Sequence, residues 1–137
     1  MARTTDQLRR ELEGRERQLG ADHPETLAAV CSLALLLHEQ GKFDEAEPLF
    51  RRALKGYEKQ LGAQHPDTLV YVNNLAVLLQ AQGKLAEAEP LYRRALEGRE
   101  QQLGAQHPDT LSSADDLAGL LEAQAARARG SCACTLS

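Results

Sequence analysis

Apolar residues fall at helical spacing through most of the chain. Leu69, Val72, Leu75, Ala76, Leu78 and Leu79 recur at steps of three and four, which lays them along one face of a helix. Gln82-Gly83-Lys84 interrupts the pattern, and a glycine there is free to take the positive φ that ends a helix. A second helical face follows in Leu85, Ala88, Leu91, Tyr92, Ala95, Leu96 and Leu103, and Gly104 supplies its stop. Leu33, Ala34, Leu37, Gly41, Ala46, Phe50, Ala53 and Leu54 repeat the same order 42 residues earlier. No run alternates apolar with polar residues as a half-buried strand would, so the pattern predicts antiparallel helix hairpins and an all-α fold.

The junctions between hairpins are copied almost letter for letter. Gln18-Leu19-Gly20-Ala21-Asp22-His23-Pro24-Glu25-Thr26-Leu27 returns at Gln60–Leu69 and at Gln102–Leu111, each time after 42 residues with no insertion. A fixed period in this range marks repeats that stack, each hiding its apolar side against the next. Pro66 suits a first helical turn, where its missing N–H would go unbonded anyway, and Asp67 suits the positive end of the helix dipole. His23, His65 and His107 recur at the repeat period. Equivalent positions lie about one repeat apart in space, so they are read as junction residues and not as metal ligands.

Leu75-Ala76, Leu79, Gly83, Ala88, Tyr92 and Ala95, with their counterparts one period earlier, resemble the tetratricopeptide repeat over roughly residues 5 to 124. The period exceeds the usual length of about 34 residues. The Gly-x-x-His-Pro junction and Asn73-Asn74-Leu75-Ala76 are similar to the 42-residue variant in kinesin light chains and in arrays appended to signalling ATPases. The resemblance implies an α–α superhelix, a right-handed solenoid of hairpins. Residues 1–124 then form the repeat domain. It comprises a lone second-type helix (5–20), repeat one (21–62), repeat two (63–104) and a partial repeat three (105–124), followed by an irregular tail (125–137). Gly14, Gly56 and Gly98 fall inside second helices, where the family usually has an isoleucine-like residue. Close helix approach and simple duplication both account for that recurrence.

The two ends depart from the pattern. Gln7 and Glu11 stand where Leu49 and Ala53 stand one period later, as expected of a terminal helix with a polar outer face. Where Gly-Lys and another second helix should follow repeat three, the chain has Ala125-Ala126-Arg127-Ala128-Arg129-Gly130-Ser131. The last helix is therefore expected to lack its partner, which makes homodimerisation through it a reasonable expectation.

Composition narrows the function classes. Aromatic residues are 4% of the chain against 42% apolar, so the core must be leucine and alanine, strong helix formers. A formal charge of −4 lacks the basic footprint that nucleic acid requires. Met1 to Arg10 is polar and no secretory signal is expected. Three unframed cysteines suit a reducing, cytoplasmic setting. His38 has no ligand or nucleophile at motif spacing. Glu45, Glu47, Glu87 and Glu89, with Arg51, Arg52, Arg93 and Arg94, read as surface ion pairs and not as an acid–base pair. Nothing in the chain points to an enzyme or a cofactor.

In arrays of the family it resembles, first helices line a concave groove. Carried over, the groove holds Ala28, Cys31, Ser32, Leu35 and His38 from repeat one. Repeat two offers Val70, Asn73, Asn74, Val77 and Gln80, and repeat three offers Ser112, Asp115, Asp116, Gly119 and Glu122. These are also the positions at which the repeats differ. Asn74 matches an asparagine that peptide-clamping members use, and Asn73 and Asn74 could each donate to and accept from a peptide backbone. The clamp's basic residues are missing, since Ser32 and Asp116 occupy the equivalent sites, so a neutral or basic segment of a partner protein is the expected ligand. Cys134-Thr135-Leu136-Ser137 matches a prenylation pattern, and Cys132 could carry a second acyl chain. That gives a second reading, a membrane-tethered adaptor. A third is a non-binding piece of a longer array.

Overall fold

A computed structural model describes residues 4–136, with the backbone alone described for 131–136. Six helices follow one another: α1 (Thr5–Leu19), α2 (Pro24–Glu39), α3 (Phe43–Leu61), α4 (Pro66–Ala81), α5 (Leu85–Leu103) and α6 (Pro108–Leu136). Consecutive helices pack on each other, so α2/α3 and α4/α5 form hairpins, α1 covers α2, and α6 covers α5. The chain is an all-α repeat solenoid, as its periodicity predicts.

The local signals explain where the helices begin. His23, His65 and His107 are N-caps. Each imidazole Nδ1 accepts the backbone N–H two residues on, from Glu25, Asp67 and Asp109, at 3.1 Å. An unprotonated ring nitrogen thus does what a capping Asn or Asp oxygen does elsewhere. The helix α1 opens with a reciprocal cap, in which Gln7 N–H donates to Thr4 Oγ1 and Thr4 N–H to Gln7 Oε1.

Hairpin turns explain where the first helices end. Gly41 (φ 78°) and Gly83 (φ 82°) adopt the left-handed conformation that turns the chain back. The third repeat has Ala125 in that place. A Cβ disfavours the turn, and the alanines and arginines that follow are good helix formers. Over 125–136 helix accordingly replaces the irregular tail expected for 125–137. The α6 helix runs 29 residues, about 43 Å, to Leu136. Losing the turn glycine has prolonged the helix and not dissolved it. Arg127 secures the extension by donating to the Gly83 carbonyl at 3.0 Å.

Leucine and alanine build the core. Ala46, Ala53, Ala88 and Ala95 on second helices are fully buried, beside Phe50 and Tyr92. In each complete hairpin a leucine of the first helix packs close against a glycine of the second. A Cβ at Gly56 would stand 2.6 Å from Leu27 Cδ1, and one at Gly98 would stand 2.5 Å from Leu69 Cδ1. Close approach therefore explains two of the three recurrent glycines. At Gly14, among the described residues, nothing lies within 4 Å of that position.

Polar clamps hold one repeat to the next. Arg52 reaches back to Glu16 (3.1 Å) and to the Ala21 carbonyl (3.5 Å). Arg94 repeats this with Glu58 (3.4 Å) and the Ala63 carbonyl (3.2 Å). Gln60 donates to the Asp22 carbonyl, and Gln102 to the Gln64 carbonyl. The expected i to i+4 pairs are present, Arg51–Glu47 at 3.0 Å and Arg93–Glu89 at 2.9 Å. Lys84 also bridges hairpins to Glu47 at 2.9 Å, and holds that carboxyl below its usual range.

The glycine contrast gives a test. Gly56→Leu should destabilise the fold by about 2 kcal/mol or more, because the added side chain must displace Leu27. Gly14→Ala meets open space and should stabilise by up to about 1 kcal/mol through helix propensity. Urea unfolding followed by circular dichroism measures both.

Candidate functional site

Exposed and half-buried residues of α2, α4 and α6 form a grid of three positions on three helices. Ala28, Ser32 and Leu35 on α2 correspond to Val70, Asn74 and Val77 on α4 and to Ser112, Asp116 and Gly119 on α6. Within each helix the spacing is i, i+4, i+7, which keeps all three on one face. Leu35, Val70 and Val77 are 44%, 41% and 37% exposed, although flanking residues such as Leu33, Val72 and Leu78 are buried. The middle row is polar, with Ser32, Asn74 and Asp116. Ser32 is turned toward its own helix and donates to the Ala28 carbonyl at 3.1 Å. Asp115, Asp116 and Glu122 make the α6 side acidic.

Several predicted groove residues sit elsewhere or are partly engaged. Cys31 is 6% exposed and belongs to the core. Asn73, one period later, is half-buried, and its Oδ1 is out of solvent with no partner among the described residues. Asn74, also half-buried, has no such restriction. His38 packs against its own hairpin, its ring tilted 5.4 Å from Phe43 and edge-on 6.5 Å from Phe50. Its counterpart Gln80 accepts the Tyr92 hydroxyl at 2.8 Å. Burial, and then the charge of Asp116, push that phenol up to about 12. Tyr92 ties α5 to α4 through its bond to Gln80. Asp115 is exposed. The side chains of Cys132 and Cys134 lie outside the described residues.

An aromatic pair between α3 and α4 is absent from the sequence reading. Tyr57 and Tyr71 stack with centroids 4.4 Å apart and planes within 5°. Position 57 is arginine in the flanking units. Arg15 donates to the Glu25 carbonyl (2.8 Å), while Arg99 donates to the Asp109 carbonyl (3.3 Å) and Ser113 Oγ (2.7 Å). At the central junction a stacked ring pair replaces this bond. The signal lay in two simultaneous breaks of the repeat, Tyr57 against Arg15 and Arg99, and Tyr71 against Ala29 and Ser113. Cys31 lies beside Tyr71, and burial pushes its thiol from 9.0 up to about 11. Burial likewise raises Tyr57 and Tyr71. The cluster is a protonated, shielded plug between repeats one and two, without the electropositive setting that activates a thiol.

Among the described residues, no group of His, Cys, Asp and Glu is placed to hold a metal ion, and no helix is long and apolar enough to cross a membrane. A helical solenoid with an open face of this kind defines a class of protein-interaction scaffold. The tetratricopeptide repeat family model matches residues 5–59, 30–100 and 67–129, and the chain belongs to that family. Repeats of this family serve generally as protein–protein interaction modules.

Solved structures agree. A putative kinesin light chain from Podosopora anserina with nearly identical TPR-like repeats superposes with a TM-score of 0.81 at 27% identity, covering 88% of this chain and 57% of that one. BtubC (BKLC) from P. vanneervenii matches with a TM-score of 0.74 at 25% identity, covering 87% and 47%. The chain thus spans about half the length of these relatives. No curated protein sequence matches it.

Cys31 makes the stability of the fold depend on alkaline pH. The folded state holds the thiol proton more tightly than the unfolded chain does, so stability is complete below pH 9.0 and falls as pH rises toward about 11. Cys31→Ala should flatten that part of the profile. Denaturation midpoints from pH 8 to 11 for both proteins check it.

Proposed function

We propose that the chain binds an extended segment of a partner protein along the exposed face of α2, α4 and α6. The observation that carries this reading is the grid itself. Three large apolar side chains stand in water on a scaffold that buries nearly every neighbouring leucine and valine. An extended peptide places alternate side chains on one side, so it can set apolar groups on Leu35, Val70 and Val77 while its backbone reaches the polar middle row. Asn74 is the better anchor of the adjacent pair, because the Asn73 oxygen is covered. Acidic residues on α6 favour a ligand with Lys or Arg at the end lying over Asp115 and Asp116. Ala28, Ser32 and Leu35 leave the α2 end neutral.

A peptide array read with the purified chain tests this. Captured peptides should combine apolar residues with a basic terminus. Asn74→Ala should weaken the best binder by about 1 kcal/mol, roughly fivefold, as loss of one backbone hydrogen bond would. Asp115→Lys/Asp116→Lys should abolish selection of basic peptides. Equal capture by all three proteins would reject the groove.

A further inference from the structure

The two ends of the chain carry the two halves of one joint. Inside the solenoid, each second helix meets the preceding junction through three contacts at constant separation. A leucine rests on a glycine, Leu27 on Gly56 and Leu69 on Gly98. An arginine reaches a loop carbonyl 31 residues back and a glutamate on the earlier second helix, Arg52 to Ala21 and Glu16, Arg94 to Ala63 and Glu58. A glutamine reaches the loop carbonyl 38 residues back, Gln60 to Asp22 and Gln102 to Gln64.

At the α6 end, the receiving half of this set stands open. Leu111 is 46% exposed, whereas its equivalents Leu27 and Leu69 are fully buried. Leu121 is 38% exposed, against 0% and 1% for Leu37 and Leu79. Ala118 is exposed where Ala34 and Ala76 are buried. The Ala105 and Gln106 carbonyls receive no side-chain bond from the described residues. This face is open because α6 runs straight on through Ala125, and no helix of the described chain folds back over it.

At the α1 end, the donating half stands open. Gly14 has nothing within 4 Å of its missing Cβ among the described residues. Arg10 and Gln18, equivalent to Arg52 and Gln60, are exposed and bond no described side chain or carbonyl. In register, a shift of three repeats brings Gly14 under Leu111, Arg10 to Ala105 and Glu100, and Gln18 to Gln106.

We propose that copies of this chain associate head to tail, α1 of one copy packing on α5 and α6 of the next as its missing second helix. The proposal is independent of the groove, which lies on another face of α6. The interface is heterologous, so it generates an open series that continues the superhelix and not a closed pair. Two residues weaken it relative to an internal hairpin. Gln7 and Glu11 replace the leucine and buried alanine of the other second helices, although Glu11 arrives already paired with Arg15 at 2.7 Å. The joint is therefore a reversible one that depends on protein concentration.

Sedimentation velocity over a concentration series reads it. The wild-type chain should show a progressive rise in mean mass, and Glu11→Ala should shift that rise to about tenfold lower concentration. Leu111→Arg and Gly14→Leu should each remain monomeric with unchanged helicity, since both sites are open in the single chain. Mixed together, those two variants should form a one-to-one pair and nothing larger, because each retains the half that the other lacks. A mixture that stays monomeric while the wild type associates would place the contact elsewhere and overturn the proposal. So would a wild type and Glu11→Ala that are both monomeric throughout, or a series that stops at a symmetric dimer.

Discussion

The close seat of a first-helix leucine on a second-helix glycine governs the rest of this structure. Leu27 over Gly56 and Leu69 over Gly98 bring the two helices of each hairpin nearer than any side chain at the glycine would allow. A glycine inside a helix sacrifices about 1 kcal/mol of propensity relative to alanine. Burying a leucine completely is worth roughly 1.5–3 kcal/mol, so the exchange favours the close seat. It also sets geometry. With the hairpin pinned there, Ala46 and Ala53, or Ala88 and Ala95, must be small, and Phe50 or Tyr92 can fill the space beside them.

From that seat the constant period follows. Each hairpin has the same interaxial spacing, so the arginine and glutamine of the second helix always arrive over the previous loop. This is why Arg52 and Arg94, or Gln60 and Gln102, make the same bonds one period apart. Such exposed ion pairs add little stability singly. Their regularity instead fixes the angle at which repeats stack, and so the spacing between α2, α4 and α6 across which a partner would lie. The central junction departs from this uniformity. A Tyr57–Tyr71 stack over Cys31 replaces an arginine-to-carbonyl bond, and puts apolar area between repeats one and two.

The fold was legible because its determinants are periodic. Helix faces, turn glycines and junction prolines recur after a fixed number of residues, and each recurrence corroborates the others. What was not legible depends on context that a pattern does not carry. The role of histidine as N-cap needed the direction of a ring nitrogen. Gly14 shares its pattern with Gly56 and Gly98, but lacks the leucine that makes them obligatory. Cys31 and Asn73 share a face with Ser32 and Asn74 by spacing, yet one step around the helix is enough to bury Cys31 and to cover the Asn73 Oδ1. At the tail, loss of the turn signal does not bring loss of structure. A helix stops only where something stops it, and Ala125 does not.

These exceptions concentrate where copying has been relaxed. The packing positions of the repeats are nearly invariant, Leu27 with Leu69 and Leu111, Ala34 with Ala76 and Ala118, buried in the first two repeats and exposed on α6, and they define how one hairpin receives another. The solvent-facing grid differs in every helix, from Ala28 to Val70 to Ser112 and from Ser32 to Asn74 to Asp116. Packing tolerates such variation because those side chains lie outside the core, exposed or half-buried. Duplication alone would leave the grid as uniform as the core. On the proposed function, a graded face, apolar over α2 and α4 and acidic over α6, would give a bound segment one preferred direction, since reversing it would remove its basic end from Asp115 and Asp116. Repetition thus supplies the frame, and the unrepeated residues supply polarity to what the frame can hold.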